Sequence, residues 1–259
     1  MKLVHLGMIS TGVVIMLGLA MVVPAFTQQK ITKSIPSVML TFTLGDSEKP
    51  DLGRWCEDLS SVINKHGVRA TVFVSGAIAE ETPECVNSFP AGIDVGSQTY
   101  SYVSLTSISN YDLALEEVKK GKEAIDKVGG LESRLFRAPY GHVDENIYSY
   151  LTRSGIVADF SYSNHYNKFE NDLFVKYDIK ELSGNREGLE LYSLLSRDDD
   201  VVRPESPVPI GINFDSSSST EDIDSFITDL KTIHDKNIEF VNASDLVGLS
   251  LTIRGVSRS

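Results

Sequence analysis

The hydrophobic pattern of the chain switches repeatedly between two periods from residue 37 onward. Short runs of apolar and β-branched residues, of which residues 38–44 are the first, have the length of buried strands and carry few charged side chains. Between these runs, apolar residues recur every three or four positions, as in residues 51–67, and this spacing predicts amphipathic helices. Gly67 marks the predicted end of that first helix.

The order of these segments predicts the fold class. The predicted strands are residues 38–44, 69–76, 92–98, 134–138, 156–162, 173–179 and 208–215, and residues 238–249 are predicted to close the chain with a strand and a short helix. The predicted helices are residues 51–67, 111–130, 144–155, 186–195 and 220–237, the last with Thr220 as its N-cap. Strands that alternate with helices about seven times predict an α/β fold with a parallel sheet, either closed into a barrel or wound openly. Since no repeat or linker interrupts residues 37–250, we expect one domain there.

The first 26 residues are predicted to be separate from this domain. Lys2 precedes an uncharged, mostly apolar run at 6–26 that would span roughly 30 Å as a helix, one hydrocarbon thickness. The favoured interpretation is an uncleaved membrane anchor, and the alternative is a signal peptide cleaved after Ala25. Both place the rest of the chain outside the cytoplasm, either membrane-anchored or secreted. The predicted linker and tail are residues 27–36 and 251–259.

Charge and cysteine content narrow the classes of function. The chain of 259 residues carries a formal net charge of −12, which weighs against nucleic acid or anionic lipid as its main partner because both need a basic surface. Its 41% hydrophobic and 23% charged residues are typical of a globular protein. Cys56 and Cys85 could pair in an oxidising compartment, or they could be two free buried thiols, since sequence does not give their separation.

The predicted strand ends carry motifs that occur in one order along the chain. In parallel α/β folds, chemistry gathers at the carboxyl ends of the strands. The motifs found there are LTFTLGD at 40–46, RATVFVSG at 69–76, GSQTYSYVSLTSIS at 96–109, FRAPYG at 136–141 and IGINFD at 210–215. Over roughly residues 36–247, this series resembles the polysaccharide deacetylases, or NodB-homology domains, which are metal-dependent enzymes that remove acetyl groups from chitin, peptidoglycan or xylan. The resemblance implies a distorted (β/α) barrel of about seven parallel strands.

The same resemblance indicates that the catalytic groups are replaced. In the family, one Asp acts as general base, a second Asp and two His residues bind the metal, and a His on the late strand protonates the leaving amine. The matching positions here are Thr43, Leu44, Gln98, Tyr102 and Phe214. Zinc needs nitrogen, sulfur or carboxylate donors, and this set supplies none of them in the required form. We therefore expect no metal cofactor and no hydrolysis in the family's manner.

The FRAPYG motif is retained and is predicted to lie on the rim of the cleft. The family's arginine contacts the general-base carboxylate, and Thr43 stands at the matching position. A guanidinium at such a rim favours an anion as its partner. The favoured interpretation is that Arg137 pairs within the chain, and the alternative is a bound sugar acid, sulfate or partner carboxylate. The candidates in the chain are Asp46, Asp159 and Asp215, while Pro139 and Tyr140 are expected to form the turn and the rim.

Three hypotheses for function follow. The favoured one is an extracytoplasmic, catalytically inactive domain that binds a glycan or another component of the cell envelope. The second is an active deacetylase whose zinc ligands have moved to new positions, with His142, His165 and Asp46 as the candidates and Asp144 or Asp215 as further carboxylates. The third is a structural subunit of the envelope.

Overall fold

A parallel sheet with helices on its outer face makes up the described part of the chain. The computed structural model describes residues 37–45, 49–130, 132–144, 146–161, 182–183, 210–232 and 238–245. All of these residues belong to one compact unit, Ser34–Ser259. The predicted anchor or signal, the linker, the tail, the strand at 173–179 and the helix at 186–195 lie outside the described residues.

The sheet confirms the α/β prediction. Its strands are β1 (Ser37–Leu44), β2 (Ala70–Val74), β3 (Ile93–Ser97), β4 (Leu135–Phe136), β5 (Ala158–Asp159), β6 (Leu182–Ser183), β7 (Ile210–Asp215) and β8 (Glu239–Phe240). Within the described ranges the strand order is β5-β4-β3-β2-β1-β7-β6, and β8 pairs with β1 beside this path. Every pair is parallel. The result is a curled half-barrel of parallel strands.

The helices follow the predicted pattern with two additions. They are α1 (Leu52–His66), α2 (Gly76–Glu81), α3 (Glu84–Asn87), α4 (Tyr111–Gly129), α5 (Ile147–Arg153) and α6 (Thr220–Thr232). The helices α2 and α3 were not predicted, because segments this short do not develop a helical period. Among the helices that the structure describes, none combines the length and the apolar character that crossing a bilayer requires.

Local hydrogen bonds cap the C-terminus of α1 and the N-terminus of α6. Gly67 adopts φ 58° after α1 and its N–H bonds to the carbonyl oxygens of Asn64 and Ile63, as predicted for a glycine stop. The prediction of Thr220 as the N-cap of α6 is wrong by one residue. Ser219 is the cap: its hydroxyl accepts a bond from the Asp222 N–H at 3.1 Å and donates to the Asp222 carboxylate at 2.7 Å.

The two faces of the sheet contain different cores. Leu40, Phe42 and Leu44 of β1 point outward into a large apolar cluster that includes side chains of α1, α4 and α6. Met39, on the opposite face, belongs to a smaller inner cluster with Phe73 and with residues at β4, β5 and β8. Because side chains alternate along a strand, this parity decides which residues can reach the interior of the half-barrel.

The structure also resolves the question about the cysteines. Cys56 in α1 and Cys85 in α3 form a disulfide, with 5.1 Å between their Cα atoms. Both residues are fully buried, so the bond links two helices beneath the surface of the outer core. Of the two alternatives, the structure shows the disulfide and not two free thiols.

Candidate functional site

The carboxyl end of β1 separates the two positions that match the family's aspartates. Thr43 faces the interior of the half-barrel, where it is partly exposed and lines a pocket. Leu44 is fully buried in the outer core. The expectation that Leu44 lies in the cleft is therefore wrong, because consecutive residues of a strand point to opposite faces. The Leu44 side chain is a hydrocarbon, so it offers no ligand atom, and its place in the outer core keeps it away from the cleft.

The end of β7 shows the same division. Phe214, only 3% exposed, stacks against Phe42 with ring centroids 5.8 Å apart and meets Phe226 edge-on at 5.3 Å. It belongs to the outer core and not to the cleft, in contrast to the prediction. Asp215 is opposite Thr43 in the β1–β7 register and does line the pocket. Its Oδ1 accepts bonds from the backbone N–H of Ser217, at 2.8 Å, and from that residue's hydroxyl.

Arg137 crosses the interior of the half-barrel from the end of β4. Its side chain is buried, with 1% exposure. Nη1 donates to Asn213 Oδ1 at 2.7 Å, to Thr41 Oγ1 at 3.1 Å and to Thr43 Oγ1 at 3.3 Å. Nε donates to the Phe160 carbonyl at 3.1 Å. The described hydrogen-bond acceptors of this guanidinium are thus neutral oxygens of β1, β7 and the residue after β5.

Asn213 is the centre of this network, and it was missed by the sequence reasoning. Besides Arg137, the hydroxyls of Thr41 and Thr43 each donate to its Oδ1 at 3.0 Å. One amide oxygen therefore accepts three hydrogen bonds in the interior. The alternation along β7 was the available signal: Gly211, Asn213 and Asp215 share the face opposite Ile212 and Phe214.

Asp159, at the end of β5, lies at the back of the same region. It is 3% exposed, and its Oδ1 accepts bonds from the Ser161 N–H at 3.0 Å and from the Ser161 hydroxyl at 2.5 Å. The same hydroxyl oxygen accepts a bond from the Ala138 N–H at 2.7 Å, which ties the FRAPYG segment to β5. Burial, helped by the charge of Asp159, raises the pKa of Tyr148 to about 12. That phenol stays protonated at neutral pH and cannot act as a base.

Gln98 follows β3 and is fully buried. Its Nε2 donates to the carbonyl oxygens of Phe73, at 3.0 Å, and Leu44, at 3.3 Å. These bonds use the amide to join the ends of β1, β2 and β3. Gln98 Oε1 is buried and has no hydrogen-bond partner among the residues that the structure describes. The position that matches the family's first histidine ligand therefore has a structural role in this chain.

Tyr102, Tyr140 and His142 form a continuous aromatic surface, which we call the aromatic rim. The Tyr102 and Tyr140 rings lie 5.0 Å apart, and the Tyr140 and His142 rings 5.9 Å apart. Tyr140 lies in a short 3₁₀ turn that starts at the buried Pro139, and 57% of its surface is exposed. Its exposed ring is the outermost part of the aromatic rim.

Both tyrosines of the rim have an unusual backbone. Their φ angles are 56° at Tyr102 and 59° at Tyr140, in the left-handed region that costs a non-glycine residue about 1 kcal/mol or more. The Tyr102 ring lies against Gly45, where an added Cβ would come within 2.1 Å of its Cζ atom. Glycine at that position is therefore what leaves room for the ring.

A pocket of about 420 Å³ opens beside the rim. It is lined by Thr43, Gly45, Lys49, Tyr102, Asp215, Ser216 and Ser217. The Lys49 ammonium donates to the Ser216 carbonyl at 2.5 Å and lies 5.4 Å from the centre of the Trp55 ring. The described lining of the pocket thus combines an aromatic wall with hydroxyls, one carboxylate and one tethered cation. Lys49 was not identified from the sequence, because nothing in the local pattern marks it.

The residues at the matching positions do not fit a catalytic zinc ion. Thr43 offers a neutral hydroxyl that is already bonded, the Gln98 Nε2 faces carbonyls, and Tyr102 offers a phenol whose ordinary pKa is near 10. Leu44 has no donor atom. A catalytic zinc site normally has three protein ligands of imidazole, thiolate or carboxylate type, and these four side chains include none of those groups.

Of the residues predicted for a relocated metal site, His142, Asp144 and Asp215 lie in the described part of the chain. Besides its ring contact with Tyr140, His142 forms a hydrogen bond of 3.2 Å between its Nδ1 and the Ser104 hydroxyl. Asp144 accepts from the Asn146 N–H at 2.8 Å. Within the described ranges, no three His, Cys, Asp or Glu side chains are grouped so that they could hold a metal ion. Asp46 and His165 lie outside the described residues.

Comparisons with known proteins agree with the fold. The family model described as polysaccharide deacetylase matches residues 30–158, about half of the chain. A peptidoglycan-N-acetylglucosamine deacetylase of Bacillus cereus is 30% identical over 121 residues, which make up 46% of this chain and 42% of that protein. The chain therefore spans less than half the length of this curated relative.

Solved structures show the same architecture. The peptidoglycan deacetylase PdaC of Bacillus subtilis superimposes with a TM-score of 0.57 at 17% identity, covering 85% of this chain and 93% of that one. A CE4 family pseudoenzyme from Bacillus anthracis gives a TM-score of 0.58 at 16% identity, with 83% and 66% covered. At such identities the likeness concerns the fold. Combined with the sequence matches and the ordered motifs at the strand ends, it leads to one conclusion: the chain belongs to the polysaccharide deacetylase family.

Proposed function

We propose that this domain binds a glycan outside the cytoplasm and does not deacetylate it. The observation that carries the proposal is the use of the matching catalytic positions in packing and in backbone hydrogen bonds. Leu44 and Phe214 lie in the outer core, and Gln98 joins three strand ends. An open pocket nevertheless persists beside the aromatic rim. The described part of the cleft is suited to recognition, and the described residues at the matching positions are not suited to hydrolysis.

The chemistry of deacetylation explains why these replacements matter. Hydrolysis of an acetamide needs an activated water, a base to deprotonate it and an acid to protonate the leaving amine. Thr43 has a neutral hydroxyl that donates to Asn213, so it is not a base at neutral pH. Phe214 has no proton to give and faces away from the pocket. Arg137 remains in the interior, but its described acceptors are part of the wall.

The glycan assignment rests on family and on the shape of the site. The Bacillus cereus relative is a peptidoglycan-N-acetylglucosamine deacetylase, so a related polysaccharide of the cell envelope is the ligand class that we propose here. Exposed tyrosine faces beside hydroxyl and charged groups suit the alternating apolar and polar surfaces of a sugar ring. The buried Cys56–Cys85 disulfide fits an oxidising compartment. We further propose that the apolar N-terminal run directs export, as signal or anchor.

Three measurements on one preparation test this proposal. Metal analysis of protein purified without chelator should find no stoichiometric zinc. Incubation with N-acetylated chitooligosaccharide or peptidoglycan should release no acetate, with the Bacillus cereus relative as the active control. Purified peptidoglycan should nevertheless retain the protein in a sedimentation assay. Stoichiometric zinc whose removal abolishes acetate release would establish the relocated active site instead, and no retention by any glycan would favour the structural subunit.

A further inference from the structure

The charged groups in the pocket beside the aromatic rim indicate which ligand charge the pocket favours. This inference rests on the proposed glycan function. We propose that the pocket prefers de-N-acetylated amino sugars, whose amines are protonated, over N-acetylated sugars. In this role the domain recognises the product of a deacetylase. The proposal assigns Tyr140 as the platform for one sugar ring and Asp215 as the counter-ion of its ammonium group.

The aromatic platform is the first component. Tyr140 and Leu113 are the two large apolar side chains most exposed in the described part of the chain, at 57% and 54%. Tyr140 is held outward by a left-handed backbone, which costs free energy that the fold has to offset. Its ring is continuous with that of Tyr102, which lines the pocket. A sugar stacked on Tyr140 would therefore extend toward the pocket along an aromatic wall.

The carboxylate is the second component. Asp215 is exposed in the pocket, at the carboxyl end of β7. Its Oδ1 is fixed by two bonds from Ser217, so the carboxylate is held in place by the turn. In the described part of the chain it forms no ion pair, and its charge is available to a ligand. An ammonium group is a compact cation with three donors, which suits such an acceptor.

Lys49 is the feature that opposes a cationic ligand, and its contacts limit this effect. Its ammonium donates to the Ser216 carbonyl and lies over the Trp55 ring. These two contacts partly compensate its positive charge, so it repels a cationic ligand less than a free ammonium would. The net charge of −12 sets the long-range field, which attracts cations and repels acidic sugars. Local and global charge together favour the amine.

The chemistry also places the domain in a reaction sequence. Hydrolysis of an N-acetyl group adds water across the amide bond, releases acetate and leaves an amine on the sugar. The Bacillus cereus relative is a deacetylase of N-acetylglucosamine in peptidoglycan, so its class of reaction supplies the ligand proposed here. Deacetylation therefore replaces a neutral acetamide by an amine that is protonated near neutral pH. Asp215 would bind the protonated amine more strongly than the acetamide.

Titration calorimetry with three soluble probes tests the inference. The probes are a tetramer of glucosamine, the matching tetramer of N-acetylglucosamine and an oligogalacturonide, at about pH 6, where primary amines are protonated. We expect the glucosamine tetramer to bind about threefold more tightly than the acetylated tetramer, because an exposed ion pair contributes a modest amount. Raising the salt from about 0.05 M to about 0.5 M should remove that preference.

Variants localise the effect. Asp215→Asn keeps an acceptor for Ser217 and should bind both tetramers equally, whereas Asp229→Asn, an equal change in net charge at an exposed site on α6, should keep the preference. Tyr140→Asn tolerates the left-handed backbone and should weaken both tetramers about fivefold. Leu113→Ala is its control, since it removes the other exposed apolar side chain.

The outcomes separate this inference from the proposed function. Equal binding of the two tetramers by the wild-type protein, or a preference that survives Asp215→Asn, overturns the amine preference and leaves glycan binding intact. Tightest binding of the oligogalacturonide, lost in Lys49→Gln, also overturns it and assigns the pocket to acidic sugars. Failure to bind any probe or peptidoglycan is the result that refutes glycan binding itself.

Discussion

The interior network around Asn213 gives the sharpest test of how this domain is held together. The prediction concerns Asn213→Ala, which deletes the amide oxygen that accepts from Arg137 at 2.7 Å and from two threonine hydroxyls at 3.0 Å. The guanidinium is buried, with 1% exposure, so solvent cannot readily replace the lost acceptor. We expect a destabilised protein with an unchanged fold.

The magnitude follows from the partners that remain. A hydrogen bond from a charged donor is worth about 1.5–3 kcal/mol. The Thr41 hydroxyl keeps the Ile212 carbonyl as an acceptor at 3.3 Å, and Thr43 is partly exposed and can turn to water, so both add little. The loss in the free energy of unfolding should be about 2–3 kcal/mol, or about 4–12 °C in melting temperature for a domain of this size.

Urea unfolding followed by circular dichroism, with the disulfide intact, measures this loss. Asn64→Ala, an exposed position on α1, is the control and should change stability by less than about 0.5 kcal/mol. Asn213→Asp places a carboxylate against Arg137 and should recover wild-type stability at neutral pH, then lose it as the carboxylate is protonated in acid. A loss below about 1 kcal/mol for Asn213→Ala would show that the network does not hold the strands together.

Three further perturbations have defined outcomes. Replacing Cys56 and Cys85 by alanine should cost about 3.5 kcal/mol, since the cross-link spans 29 residues. Gly121→Ala should cost about 1–3 kcal/mol, because its Cβ would lie 2.4 Å from the Gln98 carbonyl oxygen. Burial raises the pKa of Asp94 above its ordinary 3.8, so the free energy of unfolding should fall as pH rises through the folded value. Asp94→Asn should remove that fall, so its stability relative to wild type should grow from acid to neutral pH.

Chemical denaturation checks all three, with a separate control for each. A reductant added to the wild-type protein should reproduce the loss in the double cysteine variant, and a reductant without effect would contradict the role of the cross-link. Glu123→Ala, on the exposed face of α4, should be near neutral where Gly121→Ala is not. For Asp94→Asn, a stability difference that does not vary with pH would show that burial of the carboxyl is unimportant.

The fold was predictable because its local signals agree with one another. The runs that became β1, β2 and β7 are apolar and short, and the helices between them have clear periods and stops such as Gly67. Elements of a few residues were the exception, since α2 and α3 contain too few positions for a period. The position of a cap within one residue, Ser219 instead of Thr220, also depends on geometry that the pattern does not contain.

The site was predicted less completely, for a different physical reason. Matching motifs identifies neighbours in the chain, but neighbours in a strand point to opposite faces, so Thr43 and Leu44 were grouped although they never meet in one cavity. Asn213 was overlooked because a motif match drew attention to Phe214. Lys49 lies in a loop, and its approach to Ser216 depends on tertiary structure. The alternation of side chains along a strand would have separated Thr43 from Leu44 and pointed to Asn213 instead of Phe214.

The structure explains how the retained motif residues support the fold. The retained motif residues have backbone roles: Gly45 leaves room for the Tyr102 ring, and Pro139 begins the turn that holds Tyr140. Gln98, predicted to match a catalytic position, also has a structural contact, because its amide bonds to the carbonyls of Leu44 and Phe73. Replacing Gln98 by the family's histidine would therefore remove these two hydrogen bonds. Tyr140 and Asp215 remain exposed, so we expect substitutions at these two positions to change the proposed ligand binding with little effect on the fold.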